Sequence, residues 1–233
     1  MSASETEAAR IRAEYERRER ELGREFYALT STPNLFARQS QQRALLRGLT
    51  KADLLPLRDR RILEIGCGRG QWFSVFEDFG ARRELLAGID LDEGRLDDAR
   101  ARYGPADLRV GDATALPWPA ATFDVVFQST VMTSILDAAV RTAVAAEMLR
   151  VLAPGGTILW YDFRYDNPAN ASVRGVAAPE IARLFPGCAV DLEPVTLAPP
   201  LARRVVPRSW LLAAGLERLR ILNTHLLGVI RRR

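Results

Sequence analysis

Three glycines at alternate positions, Gly66, Gly68 and Gly70, follow the apolar run Leu63-Glu64-Ile65 and precede a helical stretch. Lacking a β-carbon, such residues let the backbone approach a ligand closely and leave amides free to meet it. Gln71 stands where a dinucleotide fingerprint, G-x-G-x-x-G, carries its third glycine. Asp90 closes the next apolar run, about 20 residues on, the separation that sets a carboxylate over a ribose diol. A helix N-cap or a surface turn residue is the other role open to it. Gly111-Asp112-Ala113 ends a third run, where Asp112 is able to accept from an exocyclic amine of adenine. Gln128-Ser129-Thr130-Val131 ends a fourth with small polar side chains.

These clusters need elements that bring them to one edge. Short apolar runs at 61–65, 84–90, 106–110, 123–127 and 156–161 read as strands, and 71–79, 93–103 and 137–152 as helices. Strands alternating with helices imply a doubly wound α/β fold, Rossmann-like, with a mostly parallel sheet covered on both faces. Open sheets of this kind place ligands at the carboxyl ends of their strands, where all four clusters fall. The tail offers a weaker strand at 189–197, an amphipathic helix at 208–219 and a last apolar run at 226–230. Ahead of the sheet, 5–29 is rich in Glu–Arg pairs at helical spacing and 35–49 reads as a second helix. The chain therefore divides into an N-terminal helical appendage or lid, 1–54, and one α/β domain, 55–233.

Composition narrows the rest. Of 233 residues 48% are hydrophobic and 27% charged, a globular balance that excludes disorder and collagen-like repeats. Net charge is +4, with Lys51 the single lysine, compatible with an anionic ligand and far from a dense nucleic-acid-binding stripe. Two cysteines, Cys67 and Cys188, and one histidine, His225, cannot build a disulfide scaffold, a four-thiolate zinc site or a histidine-rich metal centre, so no metal is expected. No apolar run approaches the roughly 18 residues of a membrane span, and the N-terminus lacks a signal-peptide core. The expectation is a cytoplasmic chain without stable membrane insertion.

In combination, Ile62-Leu63-Glu64-Ile65-Gly66-Cys67-Gly68-Arg69-Gly70, Gly88-Ile89-Asp90-Leu91, Gly111-Asp112-Ala113, Phe123-Asp124-Val125-Val126 and Leu149-Arg150-Val151-Leu152-Ala153-Pro154-Gly155-Gly156 resemble the class I S-adenosylmethionine-dependent methyltransferases. The likeness covers about 55–165. It implies a seven-stranded sheet with an antiparallel last strand. By the same likeness Glu64, Gly66, Cys67, Gly68 and Gly70 would line the methionine part of the cofactor, and Asp90 would hold the ribose hydroxyls with Leu91 against adenine. Asp112 and Ala113 would read the adenine edge, and Gln128 and Ser129 would meet the amino group. The run Trp160-Tyr161-Asp162-Phe163-Arg164-Tyr165-Asp166-Asn167-Pro168 is similar to a bacterial subset that tailors polysaccharides or natural products. One departure is Ser134, near which many relatives carry a histidine.

Methyl transfer from a sulfonium needs an acceptor held in line and, for a hydroxyl, a destination for its proton. Asp162, after the fifth strand, and His225, at the start of the last, are the candidate bases; ion pairing with Arg164 and ordinary packing are the alternatives. Arg164, Tyr161, Tyr27 and Tyr15 are the candidate acceptor contacts, and Arg174, Arg203, Arg204 and Arg208 add positive charge to the same rim. The expected activity is O-methylation of a small molecule, sugar or glycan, with anionic acceptors included. A nicotinamide-dependent oxidoreductase and a non-catalytic S-adenosylmethionine-binding module are the alternatives.

Overall fold

The computed structural model describes residues 2–23, 26, 28–168 and 170–233. Helix α1 (Ala3–Leu22) starts at a capping box, Ser2 with Glu5, and ends at Gly23, whose φ of 68° the helix cannot continue. It is therefore shorter than the 5–29 periodicity suggests. Helix α2 (Thr32–Lys51) follows, with a proline in its first turn. The alternating unit then runs β1 (Ile62–Ile65), α3 (Phe73–Asp78), β2 (Leu86–Asp90), α4 (Glu93–Tyr103), β3 (Asp107–Val110), β4 (Phe123–Ser129), α5 (Ala138–Val151) and β5 (Leu152–Phe163). The tail adds α6 (Ala178–Leu184), β6 (Cys188–Leu197), α7 (Pro199–Val205), α8 (Trp210–Arg218) and β7 (Asn223–Arg232).

The seven-stranded sheet has the order β3-β2-β1-β4-β5-β7-β6. Strands β1 to β5 are parallel, while β7 runs antiparallel between β5 and β6. Two short helices, α6 and α7, have no counterpart in the sequence reading, and residues 83–85 form a 3-10 turn where a strand was expected. Each is too brief to show a period.

Helices cover both faces. One apolar cluster joins Leu45 and Leu49 of α2 with Phe73 and Phe76 of α3, Leu96 of α4 and the strand residues Ile62, Val125 and Phe127. The other packs α5 and α6 against Leu63, Val126, Ile158 and Trp160. Truncating a buried leucine to alanine costs ~2–5 kcal/mol, so Leu45 and Leu49 anchor α2 to the sheet domain. Trp160 and Tyr161, adjacent on β5, are both buried because strand alternation sends them into opposite clusters. Asp90 and Ser129 close β2 and β4, the glycine loop follows β1, and Asp112 lies two residues past β3. The crossing order brings all of them to one edge. The antiparallel registers Phe163 with His225 and Leu197 with Asn223 bring the start of β7 and the end of β6 there too.

Candidate functional site

The glycine loop is tied to its neighbours by its own amides. Gly66 N and Cys67 N both donate to the Ile89 carbonyl, at 2.8 and 3.1 Å, and Gly68 N donates to Asp90 Oδ2 at 2.8 Å. Gly66, Gly68 and Gly70 all hold positive φ, at 67°, 51° and 69°, a region costly for residues with a β-carbon. A β-carbon on Gly68 would meet only Asp90 Oδ2, 3.9 Å away, so open space lies against this backbone. The Cys67 thiol turns inward to Gly88, where no β-carbon would fit beside it, and burial pushes its pKa up. Only the backbone of Cys67 is presented in the loop.

Asp90 accepts one amide on each oxygen, from Gly68 and from Asp92 at 3.0 Å. A carboxylate has about four acceptor positions, so half remain for a diol. Burial raises its pKa, and the two amides oppose that rise. Helix α4 is capped by Asp92 instead, through the Arg95 amide at 3.0 Å, which leaves the helix-cap alternative for Asp90 without support.

Glu64 is buried in mid-sheet, and its Oε2 has no hydrogen-bond partner. Burial drives its pKa well above the ordinary carboxylate range, with Arg38 pulling the other way. An unpartnered buried carboxylate oxygen is costly alone and becomes favourable when a cationic donor meets it. Arg38 of α2 lies with its guanidinium 4.3 Å from the Trp72 ring and donates to the Gln71 carbonyl. One wall thus offers a carboxylate and a guanidinium, the pair an amino-acid moiety requires. Neither Arg38 nor Trp72 was singled out from the sequence, because the placement of α2 over the loop depends on tertiary packing. Gln128 keeps Oε1 on the Val131 amide at 3.1 Å, with Nε2 buried and unpartnered. Ser129 ends β4 half-buried opposite Tyr161.

Helix α1 lies across this edge. Ser4 Oγ bonds the Asp112 carboxylate and lies 2.9 Å from the Thr114 hydroxyl. Arg12 donates to the Leu91 carbonyl at 3.0 Å, and Tyr15 Oη lies 3.3 Å from Ser134 Oγ. Glu19 pairs with Arg69 at 2.8 Å. One helix therefore touches the loops after β1, β2, β3 and β4. Ala113, half-buried, packs beneath it against the apolar cluster that holds α5.

The proposed acceptor residues are largely engaged with protein neighbours. Asp162 is fully buried and accepts from the Thr133 hydroxyl at 2.6 Å, the Thr133 amide at 3.1 Å and the Phe163 amide at 2.9 Å. Burial lifts its pKa to about 6, with the Thr133 and Phe163 hydrogen bonds and the Arg141 charge opposing the rise. His225 is buried with its ring stacked on Tyr161 at 4.8 Å and tilted against Phe163 at 3.8 Å. Burial pushes its pKa down to about 3, which keeps the imidazole neutral. The Tyr161 hydroxyl is held by Thr196 at 2.9 Å and Gln41 at 3.1 Å. Arg164 stacks on Tyr165, Arg174 pairs with Glu180, and Tyr15 faces Ser134 and the Arg95 guanidinium, near Asp90. Tyr27 lies outside the described residues. Among the described residues no cluster of three or more His, Cys, Asp or Glu side chains is placed to hold a metal.

Residues 62–156 match the family model described as a methyltransferase domain. Over those 95 of its 233 residues, and in its sheet order, the chain is similar to the class I S-adenosylmethionine-dependent methyltransferases. It is 35% identical over 100 residues to malonyl-[acyl-carrier protein] O-methyltransferase of Serratia marcescens, covering 43% of this chain and 37% of that one. It is 35% identical over 115 residues to fatty-acid O-methyltransferase of Mycolicibacterium smegmatis, covering 47% and 40%. These alignments thus span about two fifths of each relative's length. Among solved structures, 1,6-didemethyltoxoflavin-N1-methyltransferase of Burkholderia thailandensis, with bound 1,6-didemethyltoxoflavin and S-adenosylhomocysteine, matches with a TM-score of 0.65 at 19% identity, over 100% of this chain and 91% of that one. That likeness is one of fold. The unpartnered Glu64 oxygen, the open Gly68 backbone and the spare acceptor positions of Asp90 suit the ammonium, the chain and the ribose of this family's cofactor. No helix among the described residues is long and apolar enough to cross a membrane.

Proposed function

We propose that this chain transfers a methyl group from S-adenosylmethionine to an oxygen atom of a small organic acid. Glu64 and Arg38 would hold the amino-acid end of the cofactor, the 66–70 backbone its chain, Asp90 its ribose diol and Asp112 its adenine amine. When bound, S-adenosylmethionine supplies a sulfonium-activated methyl group. The observation that carries the reading is the unpartnered buried oxygen of Glu64, at the same sheet edge as the glycine loop and Asp90.

The acid–base residues favour an acceptor that is already ionised. His225 is neutral, stacked and too weak a base at neutral pH, and Asp162 has its oxygens engaged by three donors. A carboxylate needs no base, whereas a sugar or glycan hydroxyl must shed a proton. Two of the O-methyltransferase relatives, one named for malonyl-[acyl-carrier protein] and one for a fatty acid, support the same reading. Helix α1, bonded to four loops of this edge, would serve as the lid that excludes water.

Titration calorimetry with S-adenosylhomocysteine tests the cofactor assignment. Asp90→Ala should weaken binding about tenfold to a hundredfold through loss of charge-assisted hydrogen bonds, and unchanged affinity would overturn the ribose assignment. Scoring S-adenosylhomocysteine release against fatty acids, alcohols and nucleotide sugars tests the acceptor. Turnover confined to hydroxyl acceptors would overturn the organic-acid reading while leaving the cofactor site intact.

A further inference from the structure

Between β6 and β7 the chain makes a long excursion, 198–222, where an antiparallel pair needs only a tight turn. It forms α7 and α8 and carries a group of exposed apolar side chains: Trp210, Leu211, Leu212, Leu219 and Ile221, with Leu211 84% and Ile221 77% exposed. Leu211, Leu212 and Leu219 fall on one side of the helical turn as an apolar stripe, while Trp210 lies edge-on to Phe36 with ring centroids 5.1 Å apart. Around them stand the exposed arginines Arg203, Arg204, Arg208, Arg218 and Arg220. The one acidic residue of the excursion, Glu217, is turned away to Arg43 at 3.1 Å, and Arg220 shares Glu193 with Arg47. The charge of this excursion is almost wholly positive.

We infer that the α7–α8 face docks reversibly on the surface of an anionic phospholipid bilayer. Protruding leucine and isoleucine side chains with a tryptophan beside them suit the boundary between headgroups and acyl chains, and the arginines can lay their stems along the stripe while their heads meet phosphates. Several such cations near an anionic surface, together with the apolar contact, suffice for peripheral binding without any spanning segment. A second copy of the chain fits less well, since a two-fold contact would set these arginines against their own copies. Because β6 ends and β7 begins at the sheet edge that carries the glycine loop, docking would turn that edge toward the bilayer. Arg203 also lies over Phe26, 5.1 Å from its ring centroid, which places the face beside the segment that follows α1.

The tryptophans supply the assay. Trp72, Trp118 and Trp160 are buried at 6%, 5% and 0% exposure, and Trp210 is 37% exposed, so a change in emission on adding vesicles reports Trp210. The full chain should show a blue shift and co-sediment with vesicles of phosphatidylcholine and phosphatidylglycerol. Binding should fall about tenfold or more on vesicles of phosphatidylcholine alone. Leu211→Glu with Ile221→Glu, both at exposed positions, should abolish sedimentation while leaving the thermal melt and S-adenosylhomocysteine affinity unchanged. Trp210→Phe should remove the blue shift and keep most of the sedimentation. Absence of binding to anionic vesicles at low salt would overturn the inference. So would unaltered binding by the double glutamate variant, or a dimer on size exclusion that the same variant dissolves. Vesicle binding is read without cofactor or acceptor, so it fails or succeeds separately from methyl transfer.

Discussion

Glu64 concentrates the conflict between stability and binding in one side chain. Its carboxyl is buried on β1 with one oxygen unpartnered, and burial raises its pKa strongly. Such a group costs the ligand-free protein free energy and becomes useful when a cation arrives. Glu64→Gln should therefore leave the thermal midpoint of the free protein unchanged or higher, while S-adenosylhomocysteine binds about tenfold to a hundredfold more weakly. Calorimetry and a thermal melt on one sample check both; a fall in stability with affinity retained would make Glu64 a structural residue. The position of Asp90, Asp112 and the glycines at strand ends was readable in the sequence because each follows a local apolar run. Arg38 was not, because its guanidinium meets Trp72 and the loop only through the packing of α2 on the sheet.

At the level of elements, the loops after β1 and β4 fit one another through a single contact. A β-carbon on Gly66 would lie 2.5 Å from Val131 Cγ2, and Gly66 has a φ of 67°. Gln128 Oε1 holds the Val131 amide and so seats that side chain. Gly66→Ala should cost about 1–2 kcal/mol for the left-handed conformation, with the collision added. In a double-mutant cycle, Val131→Ala should recover the collision and leave the conformational part. Strict additivity in urea unfolding would show that the two loops are not in contact. The alternating strands and long helices were legible as periods of two and 3.6 residues. The end of α1 at Gly23, and the helices α6 and α7, were not, since a capping glycine and one or two turns leave no period to read.

For the whole molecule, the two buried ionisable groups on neighbouring strands should oppose each other in its acid stability. The antiparallel position of β7 and the place of His225 at the loop edge followed from the family likeness; its burial did not, because Tyr161 and Phe163 close over it only in three dimensions. The His225 pKa is about 3 in the fold against about 6.5 unfolded, so the unfolded chain binds the extra proton first. Its stabilising effect is present above pH ~6.5 and is lost as pH falls toward 3, about 2 kcal/mol of it by pH 5. Asp162 has the opposite sign: a folded pKa of about 6 against an ordinary 3.8 means the native state binds the proton first. Stability gained there on acidification is complete below about pH 3.8 and lost as pH rises through 6, about 1 kcal/mol of it appearing between pH 7 and 5. Urea unfolding at both pH values should therefore give a small difference for the native sequence. His225→Phe, which keeps a ring between Tyr161 and Phe163, should become more stable at pH 5 than at pH 7. Asp162→Asn should lose more stability than the native sequence over the same interval, whatever its absolute cost. Parallel curves for all three proteins would mean that neither burial shifts a proton.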